Sequence, residues 1–215
     1  MPNAKQSQVE PPFLIAIGGP SCSGKSTVAA ALARKFAPAT LLATDSYYRD
    51  LAGIPPEERA KQNFDHPDAI DWPLLEYHVK LMADGKAVET PAYDFSSHTR
   101  KRESVSLQSA PLILVEGLLA LYSLEIRAVA GLRIYMNVPE EIALARRVAR
   151  DTRERGRTRD SVLEQFAATV RPMAEQFILP TRAFADLVLP CDTPAAEAVS
   201  RVREFLPAAL RNHLL

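Results

Sequence analysis

The stretch "FLIAIGGPSCSGKSTVAAALARKF", residues Phe13 to Phe36, decides the fold. An apolar run of strand length, Phe13 to Ile17, meets a turn carrying Gly18, Gly19 and Gly24, and that turn feeds a string of helix formers beginning at Lys25. The spacing of Gly19, four residues, then Gly24, Lys25 and Ser26 is that of a phosphate-binding loop. Glycines let backbone N–H groups converge on phosphate oxygens, while Ser21, Cys22, Ser23 and Thr27 complete the cradle with small side chains. Lys25 is placed to neutralise charge at the β and γ phosphates, Ser26 to hold Mg²⁺, and the helix start adds its positive dipole end. A nucleoside triphosphate is the expected ligand.

Beyond that loop the chain repeats the alternation. Short runs rich in Val, Ile and Leu recur at 40–43, 111–115, 132–138 and 186–189, and helical patterns lie at 25–36, 72–83, 139–155, 159–177 and 194–213. Strands spaced by helices predict an α/β, three-layer fold around a mostly parallel five-stranded sheet. Residues 86–108 break the pattern with alternation on both sides of a polar centre, and predict a β-hairpin inserted into the frame. The polar leader, residues 1–12, reads as a disordered tail, and residues 13–215 as one domain. With 215 residues and 47% hydrophobic composition the chain can bury a full core.

Formal net charge is +0, so no broad basic field points to nucleic acid or an anionic membrane surface, and phosphate affinity has to be local. No apolar run reaches the ~20 residues of a membrane span. Two cysteines make neither a disulfide framework nor a metal site, and cytoplasm is the expected compartment.

In a parallel sheet, ligands sit beyond the carboxyl ends of the strands, so acidic residues there come first. Glu116 ends "LILVE" and reads as a Mg²⁺-side carboxylate. Asp45 follows "ATLLAT" and is either the base accepting a proton from an attacking hydroxyl, with a share in the metal site, or the cap of the next turn. "RRVARDTRERGR" sets Arg146, Arg147, Arg150 and Arg153 at helical spacing and adds Arg155 and Arg157 around Gly156. A solvated helix face paired with Asp151 and Glu154 would look the same. Beside a phosphate loop in a neutral chain, an arginine lid over residues 147–160 is the better reading. His66 and His78 read as packing or surface residues.

The strings "GGPSCSGKST", "TDSYYRD", "NFDHPDAIDW", "PAYDFSSHTR", "LVEGLLALY", "RDTRERGR" and "VRPMAEQFILPT" together resemble the uridine kinase (uridine–cytidine kinase) family of P-loop kinases, over about Phe13 to Pro190. That resemblance implies transfer of the γ-phosphoryl of ATP or GTP, with Mg²⁺, to the 5′-hydroxyl of uridine or cytidine. By matched position it implies Asp45 as base and Lys25, Arg150 and Arg155 as catalytic cations. It implies Arg157 on the nucleotide, and Tyr48, Asp65, Tyr93, Phe95, His98, Arg147 and Gln165 around the nucleoside. Asp65 is equally a turn former on its own residues, and Tyr93 with Phe95 an ordinary hairpin pair. The resemblance also implies a homo-oligomer, tetramer or dimer, for which "LLALYSLEI" offers apolar surface. This chain departs from the family at Asn137 and at Cys191 to Pro194, the latter where the donor's base is expected, which leaves ATP against GTP open.

Overall fold

The structure is a computed structural model that describes residues 11–59 and 61–212. The expected tail falls almost wholly outside these residues, as does His213, the expected end of the last helix.

Five strands form the sheet: β1 (Phe13–Gly18), β2 (Ala39–Ala43), β5 (Leu112–Glu116), β6 (Leu132–Asn137) and β7 (Leu187–Pro190). Their order is β2-β5-β1-β6-β7, and every pairing is parallel. Alternation within each strand makes the layers. Leu14 and Ala16 point to one face with Ile113, Val115 and α3 (Trp72–Ala83); Ile15 and Ile17 point to the other with Leu112, Leu114 and α1 (Lys25–Lys35). Both faces are covered, which is why these strands read as unbroken apolar runs.

The hairpin is β3 (Val88–Asp94) and β4 (Thr99–Leu107), an antiparallel pair with a register shift between Pro91 and Tyr93. It lies outside the main sheet and packs Val88 and Tyr93 into the core beside α3. Short elements that carry too few periodic residues to be read from sequence are α2 (Pro56–Arg59), α4 (Leu124–Val129) and single turns at Thr44–Tyr47 and Pro67–Ala69. Behind β6 comes α5 (Glu140–Glu154).

Three expectations need correction. The helix expected over 159–177 begins as α6 (Arg159–Gln165) but widens at Phe166–Val170 and Ala174–Ile178, either side of α7 (Arg171–Met173). Pro172 lacks the N–H a regular helix needs, and widened turns absorb the resulting mismatch. The helix expected over 194–213 is two pieces, α8 (Ala195–Arg203) and α9 (Ala208–Asn212), separated ahead of Pro207, which restricts the residue before it. Finally, "LLALYSLEI" is mostly core: Leu119, Ala120, Leu121 and Ile126 are buried, and only Tyr122 and Leu124 among its large apolar side chains are exposed. No helix among the described residues is long and apolar enough to cross a membrane.

Candidate active site

The loop between β1 and α1 turns through three left-handed residues, Gly19 (φ 135°), Cys22 (φ 61°) and Gly24 (φ 97°). A Cβ on Gly19 would sit 2.5 Å from the Met136 carbonyl oxygen, so the loop is held against β6 by the absence of a side chain. Ser23 points inward, fully buried, and its N–H donates to the Pro20 carbonyl at 3.3 Å. Gly19 and Ser23 therefore shape the loop from behind. Ser21, Cys22, Gly24, Lys25, Ser26 and Thr27 face the open cleft. Lys25 is buried, and its Nζ donates to the Pro20 carbonyl at 2.8 Å. Burial lowers its pKa, against the opposing pull of Glu116 and Asp45.

Strand register brings the two carboxylates together. Ala43 of β2 pairs with Glu116 of β5, and Asp45 begins two residues on, in the turn at Thr44–Tyr47. Gly117 lets the strand ends close up, since a Cβ there would lie 1.7 Å from Thr44 Oγ1. Ser26 Oγ donates to Glu116 Oε1 at 3.0 Å. Asp45 is half-buried and lines the cleft, and its pKa is raised to about 6 by desolvation first and the Glu116 charge second, with Lys25 opposing. Two carboxylates and a hydroxyl at one edge of the phosphate loop make an all-oxygen donor set that suits Mg²⁺. That ion keeps several waters and takes its other oxygens from phosphates. Among the described residues no three His, Cys, Asp or Glu side chains form a metal cage.

Across the cleft stands an aromatic wall. Tyr48 packs edge-on to Phe64 and Tyr93, with centroids 5.3 and 5.5 Å apart, and Tyr93 to Phe95 at 5.2 Å. Phe64 stacks on His98 at 4.8 Å, where the hairpin tip turns through φ 56°. Asp65 is buried beside this wall; desolvation raises its pKa, while Arg147, Lys25 and Arg150 favour the charged form. Arg100 fixes the hairpin to this wall. Its guanidinium donates to the Tyr48 carbonyl (2.9 Å), the Tyr47 carbonyl (3.2 Å) and Asp71 Oδ2 (3.1 Å). Among the described residues, the two histidines outside the wall are structural: His78 Nδ1 bonds the Tyr47 hydroxyl at 2.9 Å, and His66 Nδ1 accepts the Asp68 N–H at 3.1 Å.

The third side is the arginine segment at the end of α5. Arg147 donates to Ser21 Oγ (3.3 Å) and Gln165 Oε1 (3.2 Å), and Arg157 donates to the same Gln165 oxygen. Arg146, read only as part of the helix face, spans the Cys22 and Cys191 carbonyls at 3.2 and 3.4 Å. Arg153 pairs with Glu154, and Arg159 is exposed. Arg147, Arg150, Arg155, Arg157 and Gln165 all line the cleft. Its volume of about 1510 Å³ exceeds the usual 300–1,000 Å³ of a single-ligand pocket and suits two ligands meeting end to end. Sequence reading passes over Phe64 and Arg100, and reads Asp151 only as an ion-pair partner on a solvated helix face. Phe64 and Arg100 stand inside the quoted strings "NFDHPDAIDW" and "PAYDFSSHTR", which is the signal that could have found them.

Comparison with known proteins shows the family of the chain. Residues 14–195 match the family model described as the phosphoribulokinase / uridine kinase family. A uridine kinase of Clostridium botulinum (strain Okra / Type B1) is 44% identical over 181 residues, 83% of this chain and 88% of that protein. One of Lactobacillus helveticus (strain DPC 4571) is 41% identical over 186 residues, 85% and 88% of the two chains. Among solved structures, phosphoribulokinase from Rhodobacter spheroides shares the fold at TM-score 0.65 and 17% identity, covering 83% of this chain and 70% of that one. Phosphate loop, paired strand-end carboxylates and aromatic hairpin thus accompany a match along most of the chain, and this protein belongs to the phosphoribulokinase / uridine kinase family.

Proposed function

We infer that this protein is a pyrimidine ribonucleoside kinase, transferring the γ-phosphoryl of ATP or GTP to the 5′-hydroxyl of uridine or cytidine to give UMP or CMP. The observation that carries the reading is the place of Asp45, a carboxyl with a pKa near 6 between the phosphate loop and the aromatic wall of one cleft.

Each side of the cleft has its task. Backbone N–H groups of the loop and Lys25 hold the β and γ phosphates. Ser26, Glu116 and Asp45 would hold Mg²⁺, which when bound neutralises phosphate charge. Asp45 accepts the proton of the attacking hydroxyl, and its raised pKa keeps that carboxylate basic enough to do so near neutrality. Asp65 and Arg147 take the ribose hydroxyls. Tyr93, Phe95 and His98 wall the base with Tyr48 and Phe64 behind them, and Gln165, which lines the same cleft, is a further nucleoside contact in this reading. Residues 147–160 act as the lid, bringing Arg150, Arg155 and Arg157 to the moving phosphoryl group. Because such transfer has little covalent chemistry to catalyse, positioning and charge neutralisation carry the rate. The same reading makes the protein a cytoplasmic pyrimidine-salvage enzyme working as a homo-oligomer.

Purified protein, Mg-ATP or Mg-GTP and a panel of nucleosides test this directly by following nucleoside-dependent ADP or GDP release. Uridine and cytidine should be turned over to UMP and CMP, and purine nucleosides should not. Equal purine turnover would remove the base-wall assignment. Turnover of a sugar phosphate or pantothenate alone would assign a different alcohol acceptor. Tight nucleotide binding with no acceptor at all would leave a nucleotide sensor.

A further inference from the structure

One carboxylate under the arginine segment is used by none of the steps above. Asp151, on the last turns of α5, has no exposed side-chain surface. Four guanidinium groups lie within ion-pair range of it: Arg150 Nε at 2.8 Å, Arg155 Nη1 at 3.4 Å, Arg147 Nε at 3.7 Å and Arg157 Nη1 at 3.8 Å. Its backbone carbonyl accepts the N–H groups of both Arg155 and Arg157, each at 3.2 Å, where the chain turns through Gly156 (φ 63°). Side chain and main chain of one residue thus gather four of the five arginines that line the cleft, Arg146 being the exception.

We propose that Asp151 is a positioning residue, a buried anchor that, before any nucleotide arrives, holds Arg150, Arg155 and Arg157 assembled for the transferring phosphoryl group and Arg147 beside them on the ribose side. The proposal rests on the kinase reading of the site and assigns a residue that reading leaves idle. Four guanidinium groups this close repel one another, and long side chains lose rotamer freedom when gathered. A single buried anion offsets the repulsion without neutralising it, and three positive charges remain for the polyanion. The network is also incomplete in a telling place. Arg147 Nε and Asp151 Oδ2 are both buried without a hydrogen-bond partner, although they are 3.7 Å apart. Preset donors stabilise developing charge without reorganising at the moment of reaction, and that is the advantage such an anchor confers.

The test compares parent, Asp151→Glu and Asp151→Asn. Asparagine keeps the shape and the acceptor for Arg150 without the charge, while glutamate keeps the charge on a longer stem. Three quantities are read per folded protein: kcat with uridine, Kd for ADP, and Kd for ADP in the presence of aluminium fluoride, a planar mimic of the moving phosphoryl. The expected order of kcat is parent, then Glu, then Asn, with Asn down by about thirtyfold. The Kd for ADP alone should stay within about threefold, while the tightening produced by aluminium fluoride falls by about tenfold in Asn. A residue that only supports folding would lower the melting temperature and leave that tightening intact. The proposal fails if Asn and parent share kcat and tightening. Should Asn not fold, Glu decides alone: parent-like tightening overturns the proposal, and a several-fold loss at unchanged ADP affinity upholds it. Should the parent phosphorylate neither uridine nor cytidine, the kinase reading fails, and the aluminium fluoride ratio still judges Asp151.

Discussion

The two walls of the cleft are built by different means. The phosphate wall is local and made of backbone: Gly19 to Thr27 are contiguous, and the loop's shape follows from left-handed residues and a bare α-carbon against β6. The nucleoside wall is long-range and made of side chains, with Tyr48, Phe64, Tyr93 and His98 drawn from three separate segments and held by Arg100. A backbone cradle tolerates changes around it but loses everything with one glycine or lysine. A side-chain wall should lose function by degrees.

That contrast can be broken or sharpened in order of effect. Lys25→Ala should reduce kcat by about a thousandfold, as the loss of a preset charge at the developing phosphoryl does; a fall under tenfold would make the cradle no more critical than the wall. Asp45→Asn, at the junction of the two, should cost about a hundredfold or more in kcat.

Asp45 also sets a pH dependence. As base it must be charged, so kcat/KM, which reports the free enzyme, should be half its plateau near pH 6, level off above about pH 7 and stand at about a tenth of the plateau near pH 5. The sign for stability is opposite. A carboxyl moved from 3.8 to about 6 on folding disfavours its charged form by up to about 3 kcal/mol, so the folded state bears that cost above pH 6 and sheds it as pH falls toward 3.8. Thermal melts without magnesium should therefore find Asp45→Asn more stable than the parent at pH 8 and equal to it below pH 3.8. A residue that gains stability when its activity is removed marks a site kept for function.

On the nucleoside wall, Arg100→Ala removes three contacts joining the hairpin to Tyr47, Tyr48 and Asp71. The expected result is a nucleoside KM about tenfold higher with unchanged ATP affinity, measured by steady-state kinetics and calorimetry. Phe95→Ala should have the smallest effect, about threefold in nucleoside KM with no change in melting temperature, since Phe95 is 57% exposed and holds little of the core. If Phe95→Ala outweighs Arg100→Ala, direct contact rather than hairpin placement governs the wall.

The lone position of Asp151 shows where sequence reading stops. "RRVARD" places an acid one and four residues from arginines, a pattern shared by ordinary solvated helix faces. Only the turn at Gly156, which folds Arg155 and Arg157 back over the helix end, makes that acid a common centre. The apolar string "LLALYSLEI" failed in the other direction, because its alternation carries no record of which neighbours will cover it.

By itself the sequence determined what depends on near neighbours: the phosphate loop, five parallel strands with helices between them, the hairpin, and the acids at strand ends. Spacing and periodicity are local quantities, and backbone geometry follows from them. Tertiary structure alone decided the pairing of Ala43 with Glu116 that sets Asp45 beside it, the raised Asp45 carboxyl, the Arg100 tether and the arginines around Asp151. Desolvation and charge act through space, and their strength depends on segments that meet only when the chain has folded.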